Sequence, residues 1–330
     1  MPRVLVTGGA GYVGAVLVPE LLRHDYRVRV LDLFLYGDQV LNEVRSDPRL
    51  ETVRGDLREG AVVARSVAGC DAVIHLACIS NDPSFELDPQ LGKSINYDAF
   101  RPLVEAARDA GVQRFIYASS SSVYGVKQEE RVTEDLPPEP MTDYSKYKAL
   151  CEDILREYER PDFTTVILRP ATICGYSPRL RLDLTVNILT HHAWAQRRIR
   201  VFGGSQYRPN LHIADMADLY VRLVGLPRAA VAGKTWNAGY ENLTVREIAD
   251  RVRGVLGDEQ IAVVTEPTAD LRSYRVCSDR IRQDLGFVPR HSIDDAARGL
   301  LAAFRAGQVP DSETDPRYYN IKTMQACRLQ

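Results

Sequence analysis

A tyrosine and a lysine stand four residues apart, at Tyr144 and Lys148. In a helix this spacing places both side chains on one face. A tyrosine with its ordinary pKa near ~10 is a poor base at neutral pH, but a neighbouring ammonium group lowers that pKa. The pair is thus a candidate for acid/base chemistry, although the same spacing is common on solvated helix faces. Tyr147 is a weaker candidate, because Cys151 occupies the position four residues on.

Four consecutive serines, residues 119–122, directly follow an apolar segment at 114–118. Ligands of open α/β sheets bind at the carboxyl ends of the strands. If the apolar segment is a central strand, these hydroxyl groups lie where a ligand binds. A serine-rich loop alone indicates only a turn, and the argument depends on its coincidence with the Tyr144/Lys148 pair.

A glycine-rich turn begins the chain, with Gly8, Gly11 and Gly14 in GxxGxxG spacing between a predicted strand and a predicted helix. Glycine permits a tight turn and a close approach to a pyrophosphate, and the helix N-terminus attracts phosphate. Asp32 follows Gly11 by 21 residues and ends the second predicted strand, where a carboxylate accepts ribose hydroxyls and repels a 2′-phosphate. This pattern favours NAD over NADP. Asp56 is either an adenine contact or a solvated loop residue.

Strands and helices alternate in the first half, which predicts an α/β fold with a parallel sheet. The predicted strands are Arg3–Thr7, Arg27–Asp32, Leu50–Arg54, Ala72–Leu76, Arg114–Ala118 and Phe163–Arg169. The predicted helices between them are Tyr12–His24, Glu59–Ala68, Leu91–Ala110 and Thr142–Tyr158. Beyond Pro170 the predicted helices are Asp183–Gln196, Ala214–Val224, Thr244–Val255 and Ile293–Ala306, with strands at Ile199–Phe202 and Ile261–Thr265.

The alternation predicts a Rossmann-type doubly wound parallel sheet with a smaller, partly interleaved α/β lobe. We expect residues 1–172 to form the cofactor domain, with 208–232 returning to it. Residues 173–207 and 233–330 are expected to form the second lobe. The stretch beyond Gly307 is polar but carries adjacent aromatics at Tyr318 and Tyr319, so both a flexible tail and a docked one remain open.

Composition excludes several classes of protein. Of the 330 residues, 42 are Lys or Arg and 44 are Asp or Glu, giving a net charge of −2 and no basic stripe for nucleic acid. No apolar run reaches the ~18 residues of a membrane span, and we expect no signal peptide. The cysteines and histidines lack metal-ligand spacing, so no metal site and a reducing cytoplasm are expected. The six cysteines are Cys70, Cys78, Cys151, Cys174, Cys277 and Cys327.

Together these motifs resemble the extended short-chain dehydrogenase/reductase family, in its NAD-dependent nucleotide-sugar epimerase/dehydratase branch. The matching motifs, in order, are TGGAGYVG at 7–14, Asp32-Leu33, Gly55-Asp56-Leu57, His75-Leu76-Ala77, SSSSVYG at 119–125, YSKYK at 144–148, Leu168-Arg169-Pro170, HIAD at 212–215 and Leu285-Gly286-Phe287. The resemblance covers nearly the whole chain.

The resemblance implies a role for each matching residue. Tyr144 is the general acid/base, Lys148 stabilises it and holds the nicotinamide ribose, and Ser120 binds the reacting sugar hydroxyl. The implied cofactor residues also include Gly8, Gly11, Tyr12, Val13, Gly14, Asp32, Asp56, Leu57, Leu76 and Ala77. The implied substrate residues are Ser80, Ser121, Thr172, Arg179, Arg208 and Arg272, although the arginines are also readable as solvated surface residues. A homodimer is the family's habit.

Departures from the family pattern narrow the reaction. Relatives that eliminate water carry an acidic residue where this chain has Ser121 and Ser122, which disfavours a 4,6-dehydratase. Arg179 and Arg181 suggest an unusual sugar or an additional phosphate contact. The leading prediction is an NAD-dependent epimerase of nucleotide diphosphate sugars that oxidises C4 transiently and keeps its cofactor. A C4 dehydrogenase or 4-keto-sugar reductase is the alternative, and a non-catalytic nucleotide-sugar sensor is a third.

Overall fold

The apolar segments of the first half form the strands of a parallel sheet. The computed structural model describes residues 1–268 and 273–327. Its strands are β1 Arg3–Thr7, β2 Arg27–Asp32, β3 Leu50–Arg54, β4 Ala72–His75, β5 Arg114–Ala118, β6 Thr164–Pro170, β7 Thr172–Cys174, β8 Arg198–Phe202, β9 Tyr207–His212, β10 Lys234–Ala238, β11 Glu241–Thr244 and β12 Ala262–Glu266.

Helices connect these strands. They are α1 Gly14–Arg23, α2 Gly60–Val67, α3 Asp82–Phe85, α4 Pro89–Lys93, α5 Phe100–Asp109, α6 Asp143–Glu157, α7 Thr185–Gln196, α8 Ile213–Gly225, α9 Arg228–Val231, α10 Val245–Leu256, α11 Asp279–Leu285, α12 Ile293–Arg305 and α13 Asn320–Cys327. Turns of 3-10 helix cover Gln39–Val44, Ser121–Tyr124 and Pro316–Tyr318, and a π-helical turn covers Ser94–Asp98.

The main sheet has the strand order β3-β2-β1-β4-β5-β6-β10, and its pairs are parallel throughout the described residues. The order reverses direction between β1 and β4, where open α/β sheets form a ligand crevice. Side chains alternate across the sheet, so Val4 and Val6 pack on the α1 and α8 side while Leu5 packs on the side of α2, α5 and α6. The predicted Rossmann-type doubly wound fold is confirmed.

The second lobe is built from two small sheets and a helical core. β9 pairs with β7 and β11, and β8 pairs with β12. Helices α7, α10 and α12 pack on them through buried side chains such as Leu189, Ile248 and Ala297. One part of the second half packs with the main sheet. It runs from α8, which packs on α1, through β10, which pairs with β6, because Trp236 and Leu219 join the main core.

The predicted helix Leu91–Ala110 is interrupted. The structure has two helices, α4 and α5, joined by the π-helical turn. Asn96 lies in that turn, accepting a hydrogen bond from the backbone N–H of Ile79 (2.8 Å) and donating one to the Ile79 carbonyl (2.9 Å). The tertiary contact of Asn96 therefore overrides the regular helical spacing that the sequence pattern predicts.

The C-terminal stretch is docked rather than free. Tyr318 accepts a hydrogen bond through its carbonyl from the backbone N–H of Leu182 (2.8 Å), and Tyr319 donates one to the carbonyl of Ser312 (3.0 Å). Asn320 is 2% exposed. Among the helices of the described residues, none is long and apolar enough to cross a membrane.

A buried histidine at the end of β4 makes the stability of the fold depend on pH. His75 is 4% exposed and lies 2.7 Å from the Thr7 hydroxyl. Burial, and to a smaller extent the charge of Lys148, lowers its pKa to about 3. Because the unfolded chain binds this proton near its ordinary pKa of ~6.5, stability is lost as the pH falls below that value.

We expect the free energy of unfolding to fall less between about pH 7 and about pH 5 in His75→Asn than in the wild type, by about 2 kcal/mol. Urea unfolding of both proteins at the two pH values measures this difference. The same substitution at the exposed His24 is the control. An unchanged pH dependence in His75→Asn would mean that His75 is not the group responsible.

Candidate active site

The chemistry-bearing residues meet in one cleft at the carboxyl edge of the main sheet. The cleft has a volume of about 680 Å³. Gly8, Asp32, Leu76, Ala118 and Pro170 line it, each at or just after the end of a different strand. The second lobe closes the other side of this cleft. The residues singled out from the sequence therefore converge because parallel strands all end at one edge.

The glycine-rich turn wraps closely around the end of β1. Gly8 has φ +74°, and a Cβ there would lie 2.7 Å from the backbone nitrogen of Ala77. A Cβ on Gly14 would lie 2.5 Å from the Gly8 carbonyl oxygen. Both glycines are thus required for the turn itself, and the turn places the N-terminus of α1 at the cleft, where phosphate groups bind.

Tyr12 and Val13 complete this turn, and Tyr12 ties it to the second lobe. The Tyr12 hydroxyl donates to the carbonyl of Gly175 (2.7 Å) and accepts from the side-chain amide of Asn187 (3.0 Å). Its buried side chain therefore links the two lobes. Because the Tyr12 hydroxyl is occupied, only the backbone and the ring of Tyr12 are available to a ligand. Val13 lines the cleft and packs against two hydrophobic clusters.

Asp32 and Asp56 both line the cleft, but their pKa values are shifted in opposite directions. The Asp32 carboxylate accepts backbone N–H groups of Ala10 (2.9 Å) and Phe34 (2.7 Å), and burial raises its pKa. Each oxygen keeps a free lone pair for a ribose hydroxyl. Asp56 is engaged by Arg58, whose hydrogen bonds outweigh the effect of burial and lower the pKa of that carboxyl.

Tyr144 and Lys148 lie together at the cleft, on α6. The Lys148 ammonium is buried, donates to the carbonyl of Ala118 (2.6 Å) and lies 5.9 Å from the centre of the Tyr144 ring. Sequence reasoning predicts a lowered pKa for Tyr144. In the structure burial raises that pKa well above its usual value and outweighs the opposing charge of Arg181.

The serine loop presents its hydroxyls beside this pair. Ser120 caps the following turn, accepting from the backbone N–H (3.1 Å) and the hydroxyl (2.8 Å) of Ser122. Its contact with Tyr144 lowers the pKa of the phenol, against the larger effect of burial. Ser121 is buried and lies 3.3 Å from the hydroxyl of Tyr274. Ser119 also lines the cleft, and its hydroxyl donates to Glu152.

A buried ion pair supports the loop from behind. Glu152 is fully buried on α6, and Arg169 of β6 is 3% exposed. The Arg169 guanidinium donates to both carboxylate oxygens of Glu152, at 2.7 Å for the shortest contact, and to the Tyr124 hydroxyl at 2.8 Å. The pair thereby joins α6, β6 and the serine loop into one unit.

Arginines from the second lobe add positive charge to the cleft beside the Lys148 ammonium. Arg181 pairs with Asp183 (2.9 Å) and donates to the Ser80 hydroxyl (3.3 Å). Arg179 stacks on Tyr36, close enough to Asp32 to lower that carboxyl's pKa, which burial raises. Arg208 of β9 also lines the cleft, as does Thr172. The predicted substrate residue Arg272 lies outside the described residues.

The cleft also contains residues that sequence reasoning missed. Cys78 and Asp82 lie close enough to Tyr144 to raise its pKa further, after the larger effect of burial. Asn320 enters the cleft from the C-terminal segment. The sequence marks both positions locally, since Asp82 precedes Pro83 at a helix start and Asn320 follows two aromatic residues. These local patterns do not show which distant residues Asp82 and Asn320 contact.

One group of potential metal ligands comes together only in the fold. Nitrogen and oxygen atoms of His212, Asp215 and His291 lie within 4.8 Å of one another. His212 accepts the backbone N–H of Ala214 (3.1 Å), and Asp215 accepts those of Arg290 and His291. Because these hydrogen bonds fasten the segment before α12 to the start of α8, we assign the group a structural role.

The sequence of this chain is similar to those of known proteins. The model of the family described as NAD dependent epimerase/dehydratase matches residues 4–239. A UDP-glucose 4-epimerase of Mycolicibacterium smegmatis is 30% identical over 313 residues, which cover 92% of this chain and 98% of that protein.

The fold of this chain is similar to those of solved structures. A dTDP-glucose 4,6-dehydratase from Streptomyces venezuelae, crystallised with NAD, is 28% identical with a TM-score of 0.84, over 94% of this chain and 99% of that one. A UDP-glucose 4-epimerase of Thermus thermophilus in complex with NAD is 25% identical with a TM-score of 0.80, over 92% and 99% of the two chains.

We expect Gly14→Ala to weaken dinucleotide binding by about 10-fold or more and to lower stability by roughly 1–3 kcal/mol, because its Cβ would push the turn apart. Gly60→Ala is the matched control, since a Cβ at that helix start has nothing within 4 Å. Fluorescence titration with NAD and thermal denaturation measure the two effects. Equal behaviour of both variants would contradict the close fit at Gly14.

Proposed function

Because the chain belongs to the NAD dependent epimerase/dehydratase family, we propose that it is an NAD-dependent epimerase that inverts C4 of a nucleotide diphosphate sugar. It is an enzyme of the extended short-chain dehydrogenase/reductase type. The observation that carries the proposal is the convergence of Ser120, Tyr144 and Lys148 at the cleft that the glycine-rich turn begins.

The described residues fit NAD on observations of the cleft itself. The N-terminus of α1 faces it and offers free N–H groups to a pyrophosphate. Asp32 keeps lone pairs for the adenosine ribose and would repel a 2′-phosphate. Buried guanidinium nitrogens of Arg179 and Arg181 lack hydrogen-bond partners in the described part of the chain, which suits an anionic ligand.

The side chains at the cleft divide the work of proton transfer. Tyr144 removes the proton of the C4 hydroxyl and returns it after the sugar turns. Ser120 donates a hydrogen bond to the same oxygen, and Lys148 stabilises the phenolate with its charge. NAD held by these residues would supply the hydride acceptor and donor for C4, and the positive charge of its oxidised ring would favour the phenolate. That charge opposes the rise in the Tyr144 pKa that burial causes.

Hydroxyl groups where dehydratases need a carboxylate favour epimerisation over elimination. Ser121 and Ser122 occupy those positions, and the hydroxyl of Ser121 lies 3.3 Å from Tyr274 instead of beside an acid. A net C4 dehydrogenase or 4-keto-sugar reductase would use the same residues and is the second candidate. A sensor without turnover is disfavoured, because such a protein has no need of the complete Ser120, Tyr144 and Lys148 set.

The substrate contacts follow from the second lobe. We propose that Arg208, with Thr172 and Ser121, binds the nucleotide sugar, while Arg181 stands between the cofactor and sugar parts of the cleft because it contacts Ser80 and lowers the pKa of Tyr144 against the effect of burial. An arginine fork pairs well with a diphosphate.

A homodimer in the cytoplasm completes the proposal. Helices α5 and α6 lie side by side, joined where Arg101 donates to the Tyr158 hydroxyl (3.0 Å) and to Glu157 (3.0 Å). We propose that a second copy packs on these two helices. The six cysteines, all free and lying apart from one another in sequence, suit a reducing compartment.

We expect Tyr144→Phe to lower turnover by about 10²–10⁴-fold while nucleotide-sugar binding stays within about twofold, since only the proton-transferring hydroxyl is lost. Tyr147→Phe is the matched control. Tyr147 lies on the same helix as Tyr144, but its ring packs against those of Phe85 and Tyr97. Steady-state assays and calorimetric titration with UDP measure the two effects. Full activity in Tyr144→Phe would remove this residue from the mechanism.

The reaction itself is tested by incubating the enzyme with UDP- and dTDP-sugars and following two signals. We expect the C4 isomer to appear by NMR while the absorbance of reduced nicotinamide stays below one equivalent per enzyme. Accumulation of reduced cofactor without isomer would select the dehydrogenase, and loss of water from the sugar would select a dehydratase.

A further inference from the structure

The C-terminal segment reaches the cofactor side of the cleft through one residue. Asn320, the first residue of α13, is 2% exposed although it lies near the end of the chain. Its side-chain oxygen accepts from Arg179 Nη2, and its amide donates to the hydroxyl (2.8 Å) and carbonyl (3.3 Å) of Ser80. Its backbone N–H donates to Asp183 (3.2 Å). The Tyr36 hydroxyl donates to the same side-chain oxygen (3.3 Å), so Asn320 joins the segment after β2, Ser80 and the loop that holds Arg179 and Asp183.

The Arg179 guanidinium that Asn320 contacts is a buried charge with only part of its donors paired. Its guanidinium carbon lies 3.5 Å from the centre of the Tyr36 ring, and the residue is 4% exposed. Burial lowers its pKa to about 10. Its Nε and Nη1 have no hydrogen-bond partner among the described residues, although both are buried. A buried cation with unpaired donors is costly, and an anion in the cleft would remove that cost.

The neighbours of Arg179 indicate which anion this is. Tyr36 follows β2, and Arg179 also acts electrostatically on Asp32, the predicted ribose ligand. It further lowers the pKa of Tyr12 in the glycine-rich turn, against the larger effect of burial. Arg179 comes from the second lobe, as Arg208 does, and the family resemblance groups both with the substrate residues. These neighbours of Arg179 nevertheless belong to the glycine-rich turn and to the end of β2, which form the cofactor side of the cleft.

We infer that Asn320 is a positioning residue that holds Arg179 against the diphosphate of the cofactor, so that the C-terminal segment retains the cofactor in the cleft. The inference rests on the proposed function and deepens it, since an epimerase must keep its reduced cofactor between the two hydride transfers. A diphosphate is also part of the nucleotide sugar, so the test must separate the two ligands.

Cofactor release is the direct measurement, and it does not require turnover. The wild-type protein and Asn320→Ala are loaded with NAD, and the rate of NAD release is measured by rapid dilution and by native mass spectrometry. Because a hydrogen bond to a charged group is lost, we expect release to become about 10-fold faster or more. Binding of UDP is expected to change by less than about twofold.

A double-mutant cycle tests whether Asn320 acts through Arg179. If it does, Asn320→Ala added to Arg179→Gln changes NAD release little beyond Arg179→Gln alone. Additive effects of the two substitutions would overturn the positioning role, because a merely structural effect of Asn320 does not depend on Arg179.

Thr323→Val is the matched control within the same helix. Thr323 is buried and donates to the carbonyl of Pro316 (2.7 Å), but it does not contact Arg179. We expect NAD release from this variant to match the wild type. Faster release from Thr323→Val than from Asn320→Ala would show general loosening and overturn the inference.

The remaining outcomes separate the two proposals. If UDP affinity falls while NAD release is unchanged, Arg179 binds the sugar nucleotide and the inference is wrong. If the wild type retains NAD and Asn320→Ala retains it equally, the inference fails while the proposed function stands. If the wild type binds no NAD at all, the proposed function fails, and the inference fails with it.

Discussion

The buried ion pair between Glu152 and Arg169 is the interaction on which the active site depends. Removing two charges from water is expensive, and such a pair is stable only when nearly every donor and acceptor is satisfied. Here Glu152 also accepts from Ser119 and Arg156, and Arg169 also donates to Tyr124. The result joins helix α6, strand β6 and the serine loop, so Tyr144 and Ser120 keep a fixed relation to each other.

Charge in the molecule is divided between its two halves. The main sheet contributes hydroxyls, a helix N-terminus and the Asp32 carboxylate to the cleft, whereas the guanidinium groups come from the second lobe. The net charge of −2 conceals this local excess of positive charge. Because Tyr12 in the glycine-rich turn is hydrogen-bonded to Gly175 and Asn187, the turn and the arginine-bearing loop are held together. The two sides of the cleft are therefore held in a fixed relation to each other.

Burial has opposite consequences for the titratable groups of the cleft. It raises the pKa of Tyr144 and lowers those of His75 and Arg179, since the charged form is disfavoured in each case. The protein alone thus keeps Tyr144 protonated. A ligand that brings positive charge next to the phenol and negative charge next to the arginine reverses both tendencies. The electrostatic balance of the site therefore depends on the charges of its ligands.

The fold class and the first six strands were predictable from the sequence, because they depend on local spacing. Spacing also pointed to Gly8, Asp32, Tyr144 and Lys148, and the family resemblance pointed to Ser120. The structure brings these five residues to one cleft, because parallel strands end at one edge of the sheet. The interruption at Asn96, the pairing of β10 with β6 and the contacts of Asn320 were not predicted from the sequence. Each of these rests on a hydrogen bond or strand pair between residues far apart in the chain, as in the contact of Asn320 with Arg179, 141 positions away. Local periodicity carries no record of such partners, and only the tertiary structure decides them.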